Sequence, residues 1–177
     1  MTNTFRYLLL LLVFNIGCEP LKDMAVIGIP LSLEQQFQVA NTEKELSFNE
    51  SIIIDATLNG DVAENIDNIK EYQVKSIHYL VTNPATEGDS VVTHATISFS
   101  SIDTNEVVVY THEDINLNEL ETPNEEQEIE YTDEQLTAIG EMLKSGNQIN
   151  VEYIADIDTV ASYTYKVIID LSLKVGI

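Results

Sequence analysis

Tyr163-Thr164-Tyr165-Lys166-Val167-Ile168-Ile169-Asp170-Leu171-Ser172-Leu173-Lys174-Val175 repeats with a period of two over its whole length. Tyr163, Tyr165, Val167, Ile169, Leu171, Leu173 and Val175 form an apolar set that alternates with Thr164, Lys166, Ile168, Asp170, Ser172 and Lys174. Successive residues of a β-strand point to opposite faces, so this pattern predicts one long strand that buries its odd-numbered face. The same period recurs at Ile52, Ile54, Ala56 and Leu58, and again at Ile149, Val151, Tyr153 and Ala155. Further strands are predicted over 24–29, 31–39, 72–82, 91–100 and 106–112. About eight strands with short turns make an all-β, immunoglobulin-like or related antiparallel β-sandwich the expected fold, with an open barrel as the competing closure.

Two segments leave this period. Val62, Ile66 and Ile69 recur at helical spacing after Gly60-Asp61, which predicts a short helix or turn before the strand at Tyr72. Near 133–144 the signal is fuller: Thr132 with Gln135 reads as a capping box, and Leu136, Ile139 and Leu143 make one apolar stripe. Lys144 suits the last turn, and Gly146 is the expected left-handed stop. One short helix is therefore expected to cover an open end of the sandwich.

The start of the chain has a different character. Arg6 and the N-terminus precede an apolar run of about ten residues, 7–16, which is followed by Gly17 and by Cys18, the single cysteine. As a helix that run would rise roughly 15 Å, about half of a bilayer's ~30 Å hydrocarbon core. It is too short to span. The Gly17-Cys18 ending resembles the lipobox of bacterial lipoprotein signals, and the chain is similar to small β-sandwich lipoproteins of bacterial envelopes. That resemblance implies removal of 1–17 as a signal peptide, lipidation of Cys18 with fatty acyl chains such as palmitate, and attachment to a membrane. Glu19 is not the aspartate associated with inner-membrane retention, so the resemblance implies the cell outer membrane, with either leaflet open. Residues 18–23 then form a lipidated tether, 19–23 of it reaching about 15–18 Å, and 24–177 form one domain.

All 30 acidic residues lie beyond Cys18, whereas Arg6 falls within the signal. The mature chain therefore sets seven lysines against 30 carboxylates, a formal side-chain charge of −23. A field of that sign repels nucleic acid and anionic headgroups and favours cations or basic partner surfaces. It also serves solubility alone. The 44% hydrophobic content is that of a folded chain.

No nucleophile elbow, phosphate loop, H-E-x-x-H, C-x-x-C or EF-hand spacing occurs, and no cofactor is expected. His78 and His94 would face each other if a hairpin turned near Thr86, and His94 would meet His112 if the next turned near Asp103. The three would then form a cross-strand row able to hold a transition metal; otherwise they are solvent-facing strand residues. The acidic stretch 113–134 includes Glu125, Glu126 and Glu128 without one lysine or arginine, and reads as a solvated loop or as a strip for a cation or basic partner. Asp156 and Asp158 are a second oxygen-rich candidate, expected on one solvent face with Asn150 and Glu152 nearby. Tyr153, Tyr163, Tyr165 and Tyr79 read as core rather than as a sugar-stacking platform, whereas Tyr110 is expected nearer the surface.

These readings converge on a lipid-anchored, non-catalytic interaction, adhesion or accessory module that contacts an envelope protein or polymer. An exposed edge strand is the natural docking feature for such a module. The alternatives are a metal-binding protein using the histidine row, and a periplasmic enzyme using carboxylates as acid and base.

Overall fold

The strand predicted at the end of the chain is β8, Ala161–Gly176, and every odd-numbered residue from Ala161 to Val175 is buried. A computed structural model of the chain describes residues 26–41, 46–86, 91–102, 107–116 and 125–176. The expected signal segment, Cys18 and the tether lie outside the described residues.

β8 runs between β1, Val26–Ala40, and β3, Ile69–Thr86, antiparallel to both. Together with the two-residue β6, Gln127–Glu128, they make a sheet of order β1-β8-β3-β6. The second sheet has the order β2-β7-β4-β5, from Ser47–Asp55, Gln148–Ile157, Val91–Ser101 and Val107–Asn116. The antiparallel partners are first with eighth, second with seventh, third with sixth and fourth with fifth. A long hairpin wrapped so that its arms alternate between two sheets has this connectivity, which is the jelly roll. The expected eight-stranded antiparallel sandwich thus forms, in a wrap related to but distinct from the immunoglobulin order, in which the first strand pairs with the second.

Pro30 explains why two predicted segments, 24–29 and 31–39, are one strand. Proline removes a ladder donor and is tolerated on edge strands, and among the described residues β1 is an edge paired only with β8. Asn41 then fixes the turn into register: its Nδ2 donates to Thr159 O at 2.9 Å, and its Oδ1 accepts from Ala161 N at 2.6 Å.

Tyrosines fill the space between the sheets. Tyr153 of β7 and Tyr165 of β8 stack across the sandwich with centroids 4.0 Å apart, and Tyr79 also stacks with Tyr165 at 5.4 Å. Such ring pairs add about 0.5–1.5 kcal/mol each beyond the area they bury. Tyr153 and Tyr163 exchange a hydroxyl contact at 3.1 Å; of the four tyrosines predicted for the core, Tyr153, Tyr163 and Tyr165 are buried in it and Tyr79 is partly buried against it. Tyr110 is drawn further in than expected, half-buried with its ring 5.4 Å from that of Tyr131.

The short helix α1, Gly60–Asn65, is capped by Asn59 and buries Val62. The longer α2, Asp133–Gly146, has the predicted capping box: Gln135 N donates to Thr132 Oγ1 at 3.3 Å, and Thr132 N to Gln135 Oε1 at 2.9 Å. Its buried face is Ile139, Gly140, Met142 and Leu143. The helix lies chiefly on β3 and also reaches β4 and β7, so it closes the gap between the sheets beside β3. The left-handed stop is Asn147, at φ 55°, one residue after the predicted Gly146. Asparagine tolerates that conformation, and here its side chain is also held: Tyr72 Oη donates to Asn147 Oδ1 at 2.6 Å.

Candidate functional site

The histidines are not brought together. β3 and β4 are not a hairpin but cross from one sheet to the other, so His78 lies opposite Ile168 and Glu128, far from the ladder that holds His94. β4 and β5 do pair, but one residue out of the predicted register: His94 faces Glu113, and His112 occupies the position opposite Ala95. A slip of one residue changes which positions stand opposite each other, so the His94–His112 pairing that the row needs does not form. Among the described residues no group of three His, Cys, Asp or Glu is arranged to hold a metal ion.

His78 has local partners instead. Its Nε2 lies 2.9 Å from Ser76 Oγ and 3.5 Å from Asp170 Oδ2, and Ser32 Oγ donates to Asp170 Oδ1. Although the residue types are those of a hydrolytic triad, serine and carboxylate approach the same ring nitrogen. A relay needs the carboxylate on one nitrogen and the nucleophile on the other, so this cluster fastens β1, β8 and β3 rather than activating Ser76.

The acidic candidates divide. Glu125, Glu126 and Glu128 are exposed, and Glu128 belongs to β6, a strand inside the run read as a loop. Its neighbour Ile129 is buried, and Ile129 N donates to Ile77 O at 2.8 Å. Asp156 is exposed near the end of β7, between Ser47 on β2 and His94 on β4, and Asp158 lies just beyond the strand. Glu152 shares the outward face with Asp156 and accepts from Ser98 Oγ at 3.4 Å. On the same face, Asn150 links Ser51 to Ser100 across three strands.

Sorting charges by strand shows what the total conceals. The β1-β8-β3-β6 sheet carries Lys70, Lys75, Lys166 and Lys174 against Glu34, Glu71, Glu128 and Asp170, a balanced set. The strands of β2-β7-β4-β5 carry Glu50, Asp55, Glu113, Asp114, Glu152 and Asp156 and no lysine or arginine. The sequence contains this signal, but only once the strands have been assigned to sheets. At one margin of the acidic sheet, β5 exposes Val107 and Val109, and no strand among the described residues pairs with its far edge.

Two further features bear on the chemistry. A groove of about 390 Å³ runs between α2 and β3, with Glu71, Asp133 and Glu141 on its walls and Leu136 and Val74 inside. At the turn leaving β2, Asp55 Oδ1 accepts from Thr57 N at 2.9 Å and Thr57 Oγ1 at 2.6 Å, and Oδ2 accepts from Gln148 Nε2 at 2.7 Å. The Thr57 and Gln148 side chains hold the Asp55 carboxyl below its ordinary value. Burial, with the Asp55 charge assisting, pushes the nearby Tyr72 hydroxyl up to about 12.

No family model and no curated protein matches the chain. Among solved structures, the chain is similar to the desmodium yellow mottle tymovirus at 10% identity, covering 85% of this chain and 90% of that one, with a TM-score of 0.32. A 60-mer BFDV capsid protein aligns at 8% identity over 86% and 95% of the two chains, TM-score 0.34. Turnip yellow mosaic virus aligns at 10% identity over 84% and 96%, TM-score 0.28. Overlaps this low leave the functional reading to the chain's own residues.

Proposed function

We propose that the protein is a lipid-anchored, non-enzymatic module of the bacterial cell envelope, held at the outer membrane through Cys18 and engaging an envelope protein or polymer. The observation that carries this reading is the Gly17-Cys18 ending of a short apolar run only eight residues before Val26 opens β1. Eight extended residues reach at most about 28 Å, so the sandwich stands beside the lipid. A single acyl chain binds membranes only marginally, and stable anchoring needs more than one, which lipidation of an N-terminal cysteine supplies. The sandwich then presents one charge-balanced sheet and one wholly acidic sheet to its surroundings.

Fractionation of cells expressing the full chain tests the anchor. Wild type is expected in the detergent-soluble membrane fraction, and Cys18→Ala in an unprocessed form with altered detergent partitioning. Wild type released as soluble protein by osmotic shock would refute the anchor.

A further inference from the structure

We propose that β5 is a docking edge for a β-strand of a cationic partner protein, added alongside Val107–Asn116 so that the acidic sheet grows by one strand. Native edge strands are usually guarded by proline, lysine, charge or brevity. β1 carries Pro30 and Glu34, β2 carries Glu50 near its centre, and β6 is two residues long. Residues 107–111 of β5, Val-Val-Val-Tyr-Thr, have none of these guards. Their ladder to β4 runs from Ser100↔Val107 to Thr96↔Thr111 without a shift in register, so the edge is regular. Val107 is 54% exposed and Val109 48%, both on the outward face. An added strand would place alternate side chains about 4.5–5.5 Å from them.

Charge selects the occupant. A second copy would bring its own cation-free sheet edge to edge with this one, at a strand spacing of about 4.8 Å. A strand with lysine or arginine among small apolar residues brings the opposite sign to a sheet whose strands carry six acidic residues and no lysine or arginine, and covers the two valines. Attraction of this kind acts mainly on the association rate and weakens with salt. The inference rests on reading the chain as an interaction module and is independent of the anchor.

The probe is a short fluorescent peptide alternating lysine with valine, titrated by anisotropy against the full chain in neutral detergent. Wild type is expected to bind it more weakly as salt rises, and to show slowed amide exchange in β5 when bound. Val109→Lys or Val107→Lys should weaken binding by about tenfold. Ile53→Lys, the same charge change on the opposite edge β2 at a residue 53% exposed, should change it less than about twofold. Equal loss from Ile53→Lys would reduce the effect to bulk charge and overturn the proposal. So would equal binding of a peptide with proline at alternate positions or of one with glutamate for lysine, dimerisation through β5, or no binding at all. Cys18→Ala should leave peptide binding unchanged, so failure of the anchor and failure of the docking edge are separately visible.

Discussion

Replacing Gly140 by alanine is expected to destabilise the domain, although helix propensity alone argues the reverse. In an exposed helix interior the change gains about 1 kcal/mol, because glycine loses the most backbone freedom on folding. Gly140, however, sits on the buried face of α2, where an added Cβ would stand 2.2 Å from the carbonyl oxygen of Tyr72. That is well inside the 3.0 Å below which real Cβ contacts essentially do not occur, and the opposing atom is backbone in a long strand. Relief requires α2 to lift away from β3. Ile139, Met142 and Leu143 move with it, and the Tyr72–Asn147 hydrogen bond at the end of the helix stretches. Overpacking of this kind costs about 1–3 kcal/mol, with a backbone clash at the upper end, so the net loss after the propensity gain is about 1–2 kcal/mol. For a chain of this length that lowers Tm by about 2–8 °C. Gly60→Ala is the internal control, since none of the described residues lies within 4 Å of its added Cβ at the start of α1. It should be neutral or raise stability by up to about 1 kcal/mol. Urea unfolding of both variants decides the matter, with an unchanged slope reporting that only stability moved. Gly140→Ala as stable as wild type would refute the close approach of helix and strand.

Three further expectations concern polar groups. Because hydrogen bonds from Thr57 and Gln148 lower the Asp55 pKa from 3.8 in the folded state, they contribute stability present above that value and lost as pH falls through the folded pKa. Asp55→Asn should therefore flatten the acid limb of Tm against pH, and an unchanged limb would contradict the geometry. Burial raises Tyr72 and Tyr163 from 10.0 to about 12 and raises Tyr131, Tyr153 and Tyr165 as well. Groups raised in this way stabilise the fold fully below pH 10 and lose that contribution as pH rises towards 12, so tyrosinate absorbance and loss of circular dichroism should climb together in that window. Ionisation of Tyr72, Tyr131, Tyr153, Tyr163 and Tyr165 near pH 10 with the fold intact would contradict a tyrosine core. Tyr72→Phe removes the donor to Asn147 Oδ1 and should cost about 0.5–1.5 kcal/mol in urea unfolding.

What could be read from the chain follows from the range over which each signal acts. β8 was legible because alternation over a dozen residues is a local property. The α2 capping box was legible because Thr132 and Gln135 lie within one turn. Strand order is not local: nothing within β3 or β4 says that the chain between them crosses sheets, and the histidine row assumed a hairpin there. Where a hairpin does form, at β4–β5, a register change of one residue was enough to part His94 from His112. β6 was hidden because two residues cannot show a period, and its neighbours are acidic. Cation-free strands were countable from the start, β1 and β6 among them, but only the sheet order shows that β2, β7, β4 and β5 make one whole sheet without a lysine or arginine.

The intact mass of the mature protein extracted from membranes is the direct test of the proposed anchor at Cys18. A chain beginning at Cys18 with the mass of attached acyl chains is the predicted result. A membrane-extracted chain beginning at any other residue, or one carrying an unmodified Cys18 thiol, would contradict it.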